Sequence, residues 1–95
     1  RLNELPFWYP VQNLARFLGM LRTSRIMSKA EGVRWAMANL PDNLRSLVAE
    51  AVRAARGNDP EAGCDLAALR DFVDRMLALI RIEPAMQQLV ARKSL

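Results

Sequence analysis

Apolar residues recur at helical spacing along most of this chain, and this periodicity constrains its fold more than any other feature. The clearest example spans about Leu66 to Ile82, where the apolar positions are Leu69, Phe72, Val73, Met76, Leu77 and Ile80. Spacing of i, i+3, i+4 and i+7 gathers these side chains on one side of an α-helix. Such a side has to be buried against another element, so the segment predicts a packed helix.

Three earlier segments show the same pattern. We predict helices over about Pro10 to Arg22, Ser28 to Asn39 and Asn43 to Arg56, and a short tail helix over Ala85 to Arg92. Ala, Leu, Arg and Met are abundant and β-branched residues are few, which favours helix over sheet. The sequence therefore predicts an all-α fold: an antiparallel bundle of four main helices with short turns and a short tail helix.

The length of 95 residues suits one domain with a modest core. We expect a single helical domain over residues 1–95, with a lead-in segment at 1–9, the four-helix bundle at 10–82 and a tail at 83–95. Gly57 is expected to end the third helix in the left-handed conformation. Because the chain begins with arginine, we expect it to be the C-terminal part of a larger protein.

The charge balance permits an anionic partner. The net charge is +4 and the sequence pI is near 10.2, so a nucleotide or a nucleic acid would be attracted. The single cysteine, Cys64, excludes an internal disulfide and is in keeping with a reducing cytoplasm. No apolar run approaches the length of a membrane span. We therefore expect a cytoplasmic domain without a membrane segment.

Several kinds of catalytic chemistry are excluded. The chain has no histidine, so His-based acid–base catalysis is impossible within it, and one cysteine argues against a zinc site. The acidic residues around the last main helix have the spacing of helix caps and solvated surface pairs. They are Asp59, Glu61, Asp65, Asp71 and Asp74. No catalytic residue and no metal ligand is assigned to this chain.

The start of the second helix carries the most informative local motif. Ser28 and Glu31 have the spacing of a capping box, which places Lys29 at the first helical position. Free N–H groups and a lysine on the first turn, with Arg16, Arg22 and Arg25 upstream, could hold a phosphate. The alternative is that these cations are ordinary solvated surface charges.

An ordered set of short motifs surrounds this helix start. It reads Asn13-Leu14-Ala15-Arg16, Ile26-Met27-Ser28-Lys29, Trp35-Ala36-Met37 and Leu40-Pro41, followed by an alanine-rich helix from Leu47 to Gly57. In order and spacing, the run from Asn13 to Gly57 resembles the C-terminal helical domain of bacterial aminoglycoside nucleotidyltransferases. The resemblance is to the streptomycin/spectinomycin adenylyltransferase group.

This resemblance implies a function that needs a second domain. In the family, an N-terminal nucleotidyltransferase domain supplies the catalytic carboxylate and the Mg²⁺ ligands. The helical domain closes over ATP and contacts its phosphates with an arginine and a lysine. By position these are Arg16 and Lys29, with Ser28 as the cap, so ATP and Mg²⁺ are the implied cofactors. The implied partners are the N-terminal domain, the nucleotide and an aminoglycoside. We expect activity in the full-length enzyme and none from these 95 residues alone.

Two departures from the family concern the aminoglycoside. Some members carry aspartates shortly before the first helix that bind the amines of the drug, whereas here that stretch contains only Glu4. Glu4 and Trp8 remain the candidates for substrate binding. Some members also have an aromatic residue near the end of the third helix, where this chain has Ala54-Ala55.

The alternative interpretation is a non-enzymatic basic helical module that binds DNA or a partner protein. It would use the cations Arg22, Arg25, Lys29, Arg34 and Arg45. Reading bases requires Asn, Gln or Arg on the exposed face of one recognition helix. The third helix offers mainly arginines among small residues, so we favour the nucleotidyltransferase interpretation. A third hypothesis is a bundle used for oligomerisation.

Overall fold

The computed structural model describes residues 6–57, 63 and 65–93. Within these residues the chain forms five α-helices and no strand. They are α1 (Trp8–Thr23), α2 (Lys29–Asn39), α3 (Asp42–Arg56), α4 (Leu66–Arg81) and α5 (Pro84–Lys93). The predicted all-α bundle with a short tail helix is confirmed.

Helix α1 lies at the centre of the bundle and contacts all four other helices. The apolar sides of α1, α3 and α4 meet in one core, to which α2 adds its small inward residues. The buried members are Val11, Ala15, Leu18, Ala36, Leu40, Leu44, Leu47, Val48, Ala51, Phe72, Met76 and Ile80. Burying a side chain the size of Leu18 or Phe72 contributes about 1.5–3 kcal/mol, so this core is the main source of stability.

Helix α1 begins two residues before the predicted start at Pro10, so Trp8 and Tyr9 of the expected lead-in segment are helical. A proline in the first turn does not interrupt a helix, because N–H groups there have no intrahelical acceptor. For the same reason Pro84 starts α5 as well as following α4. Prolines therefore marked the helix boundaries to within about two residues.

The expected left-handed stop at Gly57 is wrong. Gly57 has φ −75° and ψ −9°, and its N–H donates to the carbonyl of Arg53, which continues right-handed geometry. Among the described residues the left-handed position is Ser24 instead, with φ 56°, directly after α1. Its N–H donates to the carbonyl of Met20 and closes the last turn of α1.

The connection after Ser24 leads the chain back along α1. Met27 reaches Gly19, and the next helix then passes Gly32 over Arg16. Further along α2, Trp35 again lies against Gly19. Within α2 the contacts advance along α1, with Lys29 at Tyr9, Gly32 at Arg16 and Trp35 at Gly19, so α2 runs in the same sense as α1 at this contact. Residues 24–28 can span about 17 Å, more than the ~15 Å along α1 from Thr23 back to the level of Lys29.

Some predictions fall on residues outside the described part of the chain. These include Glu4 and the rest of residues 1–5 in the lead-in segment, Cys64, and the turn with Asp59 and Glu61. None of the described helices is both long and apolar enough to cross a membrane.

Candidate anion-binding site

The start of α2 is fixed by a complete capping box, as predicted. The Ser28 hydroxyl oxygen accepts from the Glu31 N–H at 3.1 Å, and the Ser28 N–H donates to the Glu31 carboxylate, also at 3.1 Å. Ser28 therefore uses its hydroxyl to hold the helix end. The N–H groups of Lys29 and Ala30, next in the first turn, have no intrahelical acceptor and face outward from the helix end.

Glu31 brings a negative charge to the same turn. Its hydrogen bond from the Ser28 N–H, followed by that to the Ser28 side chain, lowers the pKa of Glu31 below its ordinary value. Arg25 and Arg34 lower the pKa further by their positive charge. The carboxylate is thus ionised at neutral pH. Those two arginines offset its charge, so it does not have to be balanced by Lys29.

The Lys29 side chain reaches across to α1. Its Nζ lies 4.6 Å from the centre of the Tyr9 ring, which is cation–π geometry. Tyr9 is itself 38% exposed, so the ammonium rests on a ring at the surface. The contact draws the first turn of α2 towards the first turn of α1.

Arg16 occupies the closest approach between the two helices. A Cβ added to Gly32 would lie 2.6 Å from the Arg16 Cα and 2.7 Å from its Cβ, so only glycine fits there. The guanidinium Nη2 of Arg16 donates to the side-chain oxygen of Asn13 at 3.3 Å. Arg16 is half-buried at its base and held along its own helix at its head.

The structure places both predicted cations on one seam, which we call the α1–α2 seam. On α1, Tyr9, Asn13 and Arg16 are spaced i, i+4 and i+7 and share one side. On α2, Lys29 and Gly32 are spaced i and i+3. Because Tyr9 meets Lys29 and Arg16 meets Gly32, these two sides face each other.

Three other cations form ion pairs with carboxylates. Arg22, the upstream cation considered with Arg16, forms an ion pair of 2.7 Å with Glu83 and lies 5.7 Å from the Trp35 ring centre. Carboxylates also pair with two further arginines, Arg45 with Asp42 and Arg75 with Asp71. In the described part of the chain, no carboxylate lies within ion-pairing distance of Arg16 or Lys29.

The substrate candidate Trp8 lies in the first turn of α1, half-buried, with its ring 6.4 Å from that of Tyr9. Its indole Nε1 is buried and has no hydrogen-bond partner within the described residues. A recess of about 330 Å³ lies between the start of α1, the end of α3 and the start of α4. Its lining includes Phe7, Glu50, Arg53 and Ala54.

The described residues do not fit a metal site. Across 6–57, 63 and 65–93, no three His, Cys, Asp or Glu side chains are grouped to hold an ion.

Three residues of the seam were missed by the sequence analysis: Tyr9, Asn13 and Gly32. A glycine inside a helix costs about 1 kcal/mol relative to alanine, so Gly32 could have been taken as a sign of close packing. The helical spacing from Tyr9 through Asn13 to Arg16 was also visible. The return path of residues 24–28, which brings α2 onto that side, was not.

The fold and this seam define a small all-α domain with two cations held between its first two helices. The family model described as aminoglycoside adenylyltransferase, C-terminal domain, matches residues 4–79. The chain belongs to this family, which confirms the resemblance drawn from Asn13 to Gly57. The match includes α1, α2, α3 and most of α4, and it ends before α5. No curated protein and no solved structure matches the chain.

Proposed function

We propose that this chain is the helical domain of an aminoglycoside nucleotidyltransferase, and that Arg16 and Lys29 bind the phosphates of ATP. An N-terminal domain outside these residues would hold Mg²⁺ and transfer AMP to an aminoglycoside hydroxyl, in the cytoplasm. The observation that carries the proposal is the position of both cations on the α1–α2 seam, beside the outward N–H groups of Lys29 and Ala30.

The chemistry of the reaction explains why two cations are useful there. A hydroxyl oxygen of the acceptor would attack the α-phosphorus as its proton passes to the catalytic carboxylate of the N-terminal domain. The bond to the β-phosphate would break as pyrophosphate leaves. Negative charge then accumulates on the departing group. Cations and N–H donors already in place stabilise that charge without rearranging. In this proposal Arg16 and Lys29 have this role, and neither exchanges a proton with the substrate.

The charge distribution favours this function over DNA binding. Of the five cations considered for DNA, Arg22 and Arg45 are paired with carboxylates, and Arg25 and Arg34 lie near the ionised Glu31. The paired Arg22 and Arg45 release few counterions from duplex DNA, and Arg25 and Arg34 together keep one net positive charge beside Glu31, so the contribution of these arginines to affinity is reduced. Lys29 is the remaining member of that set, and it lies on the same seam as Arg16.

Substitution of the two cations tests the proposal in the two-domain enzyme. Lys29→Ala and Arg16→Ala are each expected to raise the KM for ATP about tenfold, because each removes a charged hydrogen bond to phosphate. Arg70→Ala, on the exposed side of α4, removes the same charge and should leave the KM unchanged. The 95-residue chain alone is expected to transfer no AMP.

A contrary result would be equally clear. If both seam variants bind ATP as tightly as the wild type, the phosphate-binding role is wrong. If Lys29→Ala instead weakens binding to duplex DNA and lowers the salt dependence by about one unit, the DNA-binding alternative is supported.

A further inference from the structure

Two uncharged side chains hold the cations of the α1–α2 seam. The Tyr9 ring lies 4.6 Å from the Lys29 Nζ, and the Asn13 oxygen accepts from Arg16 at 3.3 Å. Three arginines elsewhere in the bundle, Arg22, Arg45 and Arg75, have a carboxylate partner instead, such as Glu83 at 2.7 Å from Arg22. A carboxylate partner offsets the positive charge of an arginine, whereas a ring or an amide oxygen does not.

A carboxylate partner holds a cation in place but neutralises it, and an incoming phosphate would have to displace it. A ring face or an amide oxygen also holds the cation, yet adds no negative charge. The Lys29 ammonium keeps N–H donors that do not face the ring, and Arg16 keeps the donors not used by Asn13. Among the described residues, neither cation therefore has a carboxylate that offsets its charge, and both keep donors that can bind a phosphate.

The helix packing makes this arrangement rigid. Contact between Gly32 and Arg16 sets the separation of α1 and α2, and Tyr9 then lies where a lysine from the first turn of α2 can reach it. Long cationic side chains lose rotamer freedom when they bind a ligand, and this loss weakens binding. A side chain that is already held loses less.

We propose that Tyr9 and Asn13 are positioning residues that hold Lys29 and Arg16, still charged, ready for one polyphosphate anion. This inference rests on the proposed function, since it assigns roles around the same site. It requires the ring of Tyr9 and not its hydroxyl. It also requires that the partner of Arg16 be uncharged.

The test uses inorganic triphosphate titrated calorimetrically into the 95-residue chain. Tyr9→Phe keeps the ring face and should bind like the wild type. Tyr9→Leu keeps apolar bulk without the ring and should weaken binding about two- to fivefold. In NMR spectra the Lys29 ε-methylene protons should show the upfield shift of a nearby ring in wild type and Tyr9→Phe, and lose it in Tyr9→Leu.

Asn13→Asp separates positioning from simple structural support. The carboxylate should hold Arg16 more firmly and leave the melting temperature unchanged or higher, because it forms an ion pair. Triphosphate binding should nevertheless weaken, and more than in Tyr9→Leu, since the new charge neutralises Arg16 and repels the ligand. A structural role alone would not give these opposite effects.

Lys29→Ala in the same titration separates the positioning role of Tyr9 and Asn13 from the proposed phosphate-binding function. If Lys29→Ala weakens binding while Tyr9→Leu and Asn13→Asp bind like the wild type, the positioning role is overturned and the proposed function stands. If wild type and Lys29→Ala bind triphosphate alike, the proposed function fails and this inference fails with it. Asn13 is only half-buried and aspartate has nearly the same shape, so the test does not depend on whether Tyr9→Leu folds.

Discussion

Glu31 combines two roles at the start of α2, because it closes the capping box and places a negative charge beside the proposed anion site. These roles can be separated. A glutamine at this position can accept from the Ser28 N–H in the same way, but it carries no charge. Glu31→Gln therefore keeps the cap while removing its electrostatic contribution.

The pH dependence of stability should report this contribution. The pKa of Glu31 in the folded chain lies below its ordinary value of 4.5, so ionisation of Glu31 stabilises the fold above that pH. The contribution is lost as the pH falls below 4.5 and through the lower folded pKa. The wild type should exceed Glu31→Gln in free energy of unfolding near neutral pH, and the difference should shrink towards about pH 3. Urea unfolding at both pH values measures it, and a constant difference would contradict it.

Single residues also show which local features can be predicted from the sequence. The capping box follows from two residue types at one spacing, and it was found as predicted. Met37 is one of the large apolar residues of α2 but is 39% exposed. The inward line is instead Gly32, Ala36 and Leu40, because a glycine lets α2 approach α1 most closely along that line. Hydrophobic periodicity is read from large apolar residues, so it does not indicate that Gly32 is buried.

At the scale of helices, the packing of α1 on α2 depends on Gly32. Within a helix, Gly→Ala normally stabilises by about 0.5–1 kcal/mol, since alanine has less freedom to lose. At Gly32 the added methyl would meet backbone and Cβ atoms of Arg16, which cannot swing aside. Gly32→Ala should therefore destabilise the chain by about 1–3 kcal/mol, as overpacking does.

Gly57→Ala is the matched control. Its φ of −75° suits alanine, and the nearest atom to an added Cβ is 3.7 Å away. This variant should be neutral or slightly stabilised in the same thermal and urea measurements. Equal effects of the two substitutions would show that the close contact at Gly32 has no energetic importance.

The helices themselves were largely predictable, because apolar residues recur at helical spacing within each of them. Their relative direction was not. It depends on the five residues from Ser24 to Ser28, whose path is set by the left-handed Ser24 and by Met27 against Gly19. A short connection between helices usually indicates an antiparallel pair. Here the connection is extended and retraces α1.

For the molecule as a whole, one ion pair ties the tail helix to the rest. Arg22 of α1 binds Glu83, which lies between α4 and α5 and whose side chain is only 13% exposed. Helix α5 itself buries little, with Leu89 about half exposed. The sequence did not predict this pair, because its members are far apart in the chain.

Removal of that carboxylate should loosen α5 selectively. Glu83→Gln is expected to speed amide hydrogen exchange in α5 about fivefold, which corresponds to ~1 kcal/mol of local stability for a partly exposed pair. Amides of α1 should be unaffected. Glu50→Gln, at an exposed carboxylate on α3, serves as the control. Uniform acceleration across all helices would mean that the pair supports global stability instead.

The candidate site was predictable only in part. Arg16, Lys29 and Ser28 came from motif order and family resemblance, and the structure places Arg16 and Lys29 on one seam. Their uncharged partners could not be named beforehand. Which side chain faces Lys29 depends on the direction of α2, and that direction depends on an irregular connection without periodicity.

The retraced path of residues 24–28 also has a kinetic consequence. Because α2 returns directly onto α1, the contacts of Arg16 with Gly32 and of Tyr9 with Lys29 join nearby parts of the chain. Closing such short loops costs little entropy, and local contacts form early in folding. Packing of α4 on α1 has to close a much longer loop. The seam that would hold the ligand is thus also the part of the domain that the chain can assemble first.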